Sequence, residues 1–386
     1  MGYFTRNDCR IEDFAALCEQ GLDAAAVPQA DRIEANIPIY DMARLSSVLG
    51  EADSRRALMA EWADVLRNTA GVLVLKNSFP DLSVLDEATR AFEAIIAEEK
   101  QANGGGADHF AAAGANDRVW NAAQKLCIAA PDVFARYHAN PSIDAVSEAW
   151  LGRGYQVTAQ VNLVRPGGKA QQAHRDYHLG FMTEDEAMSM PAHVHLLSPV
   201  MTLQGAVAHC DMPVDSGPTR LLPFSQAFDP GYLAYRMPEF VEYFDAHFVQ
   251  LPLEKGDLVF FSPALFHAAG DNRTADIARF ANLLQVSSPM GRAMEAVDRD
   301  AMVRALYPVL RRLNLSAAER SAAIAACAEG YAFPTNLDTD PPAGGLAPKT
   351  QASLMADALA DGQSVDAFYA SLDALLARRH PQELQR

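Results

Sequence analysis

The spacing of apolar residues divides this chain into three zones. Up to about residue 152 the spacing is mostly helical. Residues 51–68 set Leu58, Trp62, Val65 and Leu66 on one face, and residues 83–100 do the same with Leu85, Ala88, Phe92 and Ile95 behind a candidate cap at Ser83. Between them the apolar run 71–75 reads as a short buried strand, and a further helix after Pro141 stops at Gly152. From Tyr155 the period shortens to two. Tyr155, Val157, Ala159, Val161 and Leu163 form one face of a strand; Gln156, Thr158, Gln160 and Asn162 form the other. More strand-like runs lie at 193–197, 201–209, 247–251, 257–262 and 277–287, punctuated by Pro166-Gly167-Gly168, Ser216-Gly217-Pro218 and Lys255-Gly256-Asp257. Short strands at this rhythm predict a β-sandwich or jelly roll.

After Pro289 helical spacing returns. Ser316 and Glu319 form a capping box ahead of 317–329, and two helices near 352–360 and 365–379 end the sequence. The expected organisation is an N-terminal helical part over 1–154, a jelly-roll catalytic core over 155–290 and a C-terminal helical extension over 291–386, together one compact unit. The extension reads as a buttress on the sheet, with a homodimer interface as the alternative. The glycine-rich run 102–117 reads as a mobile loop and a candidate lid.

Composition narrows the function classes. Of 386 residues, 32 are Lys or Arg and 49 are Asp or Glu, a net charge of −17 that argues against a nucleic-acid partner. No run reaches the ~18 apolar residues of a membrane span, and the first residues lack the apolar core of a signal peptide. Five cysteines, none in a C-x-x-C pair, read as reduced thiols and a cytoplasmic location.

The β zone holds most of the histidines, and His174-Arg175-Asp176 is its sharpest motif. On extended chain, positions i and i+2 point the same way, so His174 and Asp176 present an imidazole and a carboxylate to one point. That is two-thirds of the 2-His-1-carboxylate set that holds Fe(II) and leaves open positions. H-x-D alone occurs often as a surface ion pair. Its weight rises with a second segment, a tight turn and apolar strand from Gly256 that leads to His267. Arg279 then lies inside the apolar stretch 277–286. A guanidinium there needs a partner, and that strand carries no acidic residue, so a ligand carboxylate suits its planar fork. A carboxylate on a neighbouring strand is the alternative, and Arg273 is the competing cation, in a turn-like Asp-Asn-Arg-Thr setting.

These segments together resemble the phytanoyl-CoA dioxygenase family of Fe(II)/2-oxoglutarate-dependent oxygenases. The matching stretches are the H-x-D at 174–176, Asp211 with Ser216-Gly217-Pro218-Thr219-Arg220 and Pro223, the GDLVFF block ending at His267, and Arg279. They span roughly 155–287, and the helix–strand–helix of 51–100 is similar to the family's N-terminal segment. The resemblance implies a double-stranded β-helix, iron held by His174, Asp176 and His267, and Arg279 gripping the distal carboxylate of 2-oxoglutarate. It further implies that 2-oxoglutarate and O2 occupy the open iron positions, that succinate and CO2 are released, and that a substrate hydrogen is abstracted. Related halogenases have Gly or Ala where this chain has Asp176, so the carboxylate favours hydroxylation over halogenation. Two departures stand out: Phe224 and Gln226 replace the family's usual Gly and His after the proline, and His193 and His195 lie where members often place a cofactor contact.

Other positions are less determined. Gln160 and Asn162 share a strand face that in this fold meets 2-oxoglutarate, with a solvent face as the alternative. His178, two residues beyond Asp176, and His209, before Asp211, are candidate substrate contacts. His193 and His195 alternate like a structural pair lining the barrel. The expected partner is a small-molecule metabolite, with no basic cluster suited to the phosphates of CoA. A cupin-like metalloenzyme that does not use 2-oxoglutarate, or a non-catalytic jelly-roll binding protein, are the competing classes.

Overall fold

The computed structural model describes residues 2–103 and 116–379, and ten strands form among them. They are β1 (Arg32–Glu34), β2 (Ile37–Asp41), β3 (Val72–Lys76), β4 (Asn116–Val119), β5 (Gln156–Val164), β6 (Thr202–Ala208), β7 (Arg220–Leu222), β8 (Leu258–Phe261), β9 (Phe266–Ala268) and β10 (Arg279–Ser287). Eight of them make one mixed sheet in the order β1-β2-β3-β8-β6-β10-β5-β4, and β7 pairs with β9 in a second, small sheet. The architecture is mixed α and β.

β10 is the hub of the large sheet. It runs antiparallel to β5 on one side and β6 on the other, so Gln285 sits opposite both Thr158 and Gln204. Alternation then sorts the side chains. Val157, Ala159 and Val161 on β5, Leu203 and Val207 on β6, and Leu284 and Val286 on β10 enter the main apolar core. The helices Ala52–Asn68, Ser83–Asn103, Pro131–His138 and Pro141–Leu151 contribute to the same core. The residues between them, including Gln160, Asn162, Gln204, Arg279 and Gln285, face a cavity of about 730 Å3. β7 and β9 flank that cavity, backed by a second core in which Phe14 packs against Phe228, Phe240 and Phe266.

Three stretches differ from the sequence expectation. The N-terminal part supplies helices and also four strands; β3 pairs with β8 and β4 with β5, so the sheet joins strands of the N-terminal part to those of 155–290. The run 193–197 is a helix, Ala192–Leu197, because Pro191 fixes its entry and burial falls at Ala192 and His195, a helical and not an alternating interval. In the run 247–251, His247 ends the helix Pro238–His247 and the residues after it make only an isolated bridge, between Val249 and Leu221. At the C-terminus, Ser316 and Glu319 form the expected capping box. Met355, Ala358, Phe368 and Leu372 of the last two helices enter the main core, with the Phe368 ring stacked 3.8 Å from Tyr307. Among the described residues no helix is long and apolar enough to cross a membrane.

Candidate active site

Backbone pairing brings the two ends of the site together. His174 and His267 exchange both main-chain hydrogen bonds, at 3.0 and 3.2 Å, which sets their rings 4.5 Å apart. Asp176 lies two residues further along, its amide donating to the carbonyl of Pro263 at 3.1 Å. One ligand atom from each of His174, Asp176 and His267 falls within 4.8 Å of the others. Nε2 of His174 lies 3.7 Å and Nε2 of His267 lies 3.4 Å from the Asp176 carboxylate.

The ring protons are fixed by the main chain. Nδ1 of His174 lies 2.9 Å from the carbonyl of Gln172, and Nδ1 of His267 lies 2.8 Å from that of Leu265. A carbonyl only accepts, so each Nδ1 carries the proton and each Nε2 turns its lone pair to the common point. Two lone pairs and a carboxylate aimed at one another repel unless a cation lies among them. The donor set therefore fits the metal that this ligand combination suits, non-haem Fe(II). Burial pushes the Asp176 carboxyl up, but the two imidazoles when protonated at Nε2, a positive charge that a bound cation would replace, and a hydrogen bond from Gln204 Nε2 outweigh it and hold it well below the usual carboxylate range. Burial also draws the His174 imidazole below its ordinary value, with His267 adding to the shift and Asp176 opposing it.

Arg279 opens β10 and is 6% exposed. Its Nη1 donates to the carbonyls of Ser216 (3.0 Å) and Gly270 (3.4 Å), and among the described residues no carboxylate pairs with it. Burial lowers its pKa to about 10, the nearby Cys210 opposing. It lines the same cavity as the metal ligands, as do the small side chains of Ala206, Ala208, Ala269 and Ala281. Gly217 makes the Ser216 contact available: its φ is +75°, and a Cβ there would lie 2.3 Å from the carbonyl oxygen of Asp271. Arg273, the competitor, makes an exposed ion pair with Asp215.

Gln160 and Asn162 both line the cavity, and among the described residues Asn162 Oδ1 has no hydrogen-bond partner. The two candidate substrate histidines lie elsewhere. The chain leaves the extended conformation at Tyr177 (φ +61°) and His178 (φ +40°) and enters a 3-10 turn, so the two-residue alternation past Asp176 is broken. His178 is not among the cavity-lining residues, and its Nδ1 lies 3.2 Å from Ser198 Oγ. His209 follows the cavity-facing Ala208 and so points through the opposite side of the sheet, between Thr89 and Tyr137. His193 and His195 are on a helix outside the cavity lining; His195 is buried against the carbonyl of Ala187.

Some contributors escaped the sequence reading. Gln204, Gln285, Arg118 and Trp120 all line the cavity. The signal for Gln285 was present: it shares the parity of Arg279 on one strand. Arg175, between the two ligands of the H-x-D, is fully buried under Tyr232 and Phe266, each ring 5.2 Å away, and donates to the carbonyls of Ser225 and Phe228. The departures Phe224 and Gln226 fall outside the cavity lining. Phe224 keeps a glycine-like φ of +69°, and Gln226 donates to the carbonyl of Thr69. The candidate lid lies outside the described residues over 104–115.

A metal-ready histidine–carboxylate–histidine set and a carboxylate-free arginine in one cavity define the class of a non-haem iron enzyme. The profile of the phytanoyl-CoA dioxygenase family matches residues 68–281, more than half of the chain, and the chain belongs to that family. It is therefore a 2-oxoglutarate-dependent oxygenase whose cofactors are Fe(II) and 2-oxoglutarate, with O2. The dioxygenase trt7 of Aspergillus terreus is 26% identical over 215 residues, covering 54% of this chain and 67% of that protein. Among solved structures, the epimerase SnoN in complex with Fe3+, alpha ketoglutarate and nogalamycin RO matches at 19% identity and a TM-score of 0.42, over 60% of this chain and 84% of that one. AviO1 from Streptomyces viridochromogenes matches at 16% identity and a TM-score of 0.43, over 62% and 97%. Likeness at these scores fixes neither the substrate nor the reaction type.

Proposed function

We propose that this oxygenase hydroxylates a small-molecule metabolite, with Fe(II) held by His174, Asp176 and His267 and the distal carboxylate of 2-oxoglutarate held by Arg279. The observation that carries the reading is the convergence of three ligand atoms within 4.8 Å in a cavity lined also by buried Arg279, which among the described residues has no carboxylate partner. Bound Fe(II) would supply the activation of O2 and the oxidative decarboxylation of 2-oxoglutarate to succinate and CO2. The chain does the rest. His174 and His267 present Nε2 because the main chain holds their Nδ1 protons. Asp176 stays ionised and takes a coordination position that would otherwise admit a halide, which supports hydroxylation. Arg279 anchors the co-substrate against the chain's net charge of −17, and Asn162 offers on the same face an amide oxygen that no described residue engages. The amide of Gln160 is already engaged by its neighbours, so its contribution to co-substrate binding is to shape the wall.

The same reading takes the two sheets flanking the cavity as the halves of a double-stranded β-helix, with residues 155–290 as the catalytic core and 1–154 and 291–386 packed around it. Five unpaired thiols support a cytoplasmic enzyme. The C-terminal helices are better supported as a buttress, since Met355, Ala358, Phe368 and Leu372 enter the chain's own core.

The test is spectroscopic. Under anaerobic conditions the purified chain with Fe(II) and 2-oxoglutarate should develop the weak visible charge-transfer band of a metal-chelated keto acid, and His174→Ala should abolish it. Absence of the band in the unaltered protein would sink the reading. Iron binding with no 2-oxoglutarate consumption would favour a cupin-like enzyme of another kind. Screening metabolites for those that couple 2-oxoglutarate turnover to their own oxidation would then find the substrate.

A further inference from the structure

Across the cavity face of the large sheet, polar side chains step from strand to strand toward the metal ligands. Arg118, next to the end of β4, donates from Nη1 to Oε1 of Gln160 on β5 at 3.2 Å. Gln160 in turn donates from Nε2 to Oε1 of Gln285 on β10 at 3.2 Å. Gln285 is paired in register with Gln204 on β6, and Gln204 donates to the carboxylate of Asp176.

The direction of this row follows from its first member. A guanidinium has donors and no acceptor, so the Gln160 amide must turn its oxygen to Arg118. Its nitrogen then faces Gln285, and Gln285 must turn its own oxygen to that nitrogen. The Nε2 group of Gln285 is thereby left toward the cavity, and among the described residues nothing accepts from it. The amide orientations are set by the network and not by choice of assignment. Directly opposed residues on neighbouring antiparallel strands lie about 5 Å apart at Cβ, so this donor sits beside the side chain that touches the metal carboxylate.

We propose that Gln285 is a specificity-determining residue that donates a hydrogen bond from Nε2 to a neutral acceptor oxygen of the substrate, and that Arg118 and Gln160 are positioning residues that keep this donor turned outward. The substrate class is a small molecule with a carbonyl group close to the oxidised carbon: a ketone, ester, lactone or amide. A neutral oxygen fits because the donor is an uncharged amide, whose Gln204 neighbour is already bonded to the Asp176 carboxyl group. The inference rests on the reading of the cavity as the chamber of a 2-oxoglutarate oxygenase.

A matched pair of probes tests it. Acetophenone and α-methylstyrene have nearly the same shape and differ in a carbonyl oxygen against a methylene group. Binding to the Fe(II)- and 2-oxoglutarate-loaded enzyme is measured for each. The unaltered protein should favour the ketone by about fivefold, the range of one net hydrogen bond. Gln285→Leu should erase the preference. Gln160→Glu accepts from both Arg118 and Gln285, which turns the Gln285 oxygen to the cavity and should reverse it; a residue that only filled space would not do so. Equal binding of the two probes to the unaltered protein, or a preference that survives Gln285→Leu, overturns the proposal. A raised 2-oxoglutarate requirement in Gln285→Leu with the ketone preference intact assigns the donor to the co-substrate and likewise overturns it. Failure of the underlying reading is distinct, because it would remove the charge-transfer band from the unaltered protein.

Discussion

The two sides of the large sheet, one toward the cavity and one toward the helices, use the same residue types for opposite ends. On the cavity side, carried by β9 of the small sheet and the bridge to it, His267 and His174 donate from Nδ1 to carbonyls and turn an unengaged Nε2 outward. On the helix face, His209 has both nitrogens occupied. Thr89 gives its hydroxyl proton to the carbonyl of Leu85, so it accepts from Nδ1 of His209; Tyr137 then donates its hydroxyl to Nε2 and accepts from Asn282. The arginines differ in the same way. Both line the cavity, but Arg175 lies under two rings with Nη2 on two carbonyls and Nε buried, whereas Arg279 bonds carbonyls through Nη1 alone. Burial alone does not distinguish a functional group from a structural one here. What separates them is whether the hydrogen-bonding capacity left over can be reached from the cavity.

The largest effect expected from this contrast is at Arg279. In Arg279→Ala the 2-oxoglutarate concentration for half-maximal turnover should rise about 100-fold, roughly 2.7 kcal/mol, the scale for truncating one partner of a buried charge-assisted pair. Titrating 2-oxoglutarate against the charge-transfer band measures it directly. An unchanged requirement would move the anchoring role to another cation and erase the distinction between the two buried arginines.

The helix face should respond in stability and not in cofactor binding. Tyr137→Phe leaves Nε2 of His209 buried without a donor and the Asn282 amide without its acceptor, at a cost of about 2 kcal/mol in unfolding free energy. Urea denaturation reads the loss. The 2-oxoglutarate titration of the same variant should overlay that of the unaltered protein; if it shifts as far as the stability does, the faces are coupled and the comparison fails.

Sequence alternation made much of this legible. The strict period of two over 155–163 identified β5 and both of its faces, and an arginine in an acid-free apolar strand pointed to Arg279. The H-x-D with a distant histidine identified residues that a backbone bridge joins across the fold. Alternation failed where the chain stops being extended. Past Asp176, the positive φ of Tyr177 and His178 turns His178 aside, and Pro191 starts a helix under a run that alternates like a strand. His209 was within reach, since counting one residue on from Ala208 assigns it to the helix face, but that count needs the sheet to say which parity faces the cavity. The row from Arg118 to Gln285 joins β4, β5 and β10, and the pairing of strands so far apart in sequence cannot be read from any one segment.

A subtler difference between the faces should appear as pH falls. His138 ends the helix Pro131–His138, packed between Phe134 and Tyr137, with neither ring nitrogen hydrogen-bonded among the described residues. Burial pushes its pKa down to about 3, and burial does the same to His209. In the unfolded chain each titrates near 6.5. Above that pH both are neutral in either state and nothing is lost. Below it the unfolded chain takes up a proton that the folded protein refuses until about pH 3, so each histidine removes stability at about 1.4 kcal/mol per pH unit. Phe has nearly the shape of His and does not titrate. Unfolding free energies of His138→Phe and the unaltered protein, measured in urea at successive pH values, should therefore run parallel above about pH 7 and diverge below about pH 6 by that slope, the variant losing less. Parallel lines down to pH 5 would mean that His138 takes a proton in the folded state, and that the helix face keeps a functional reserve like that of the cavity.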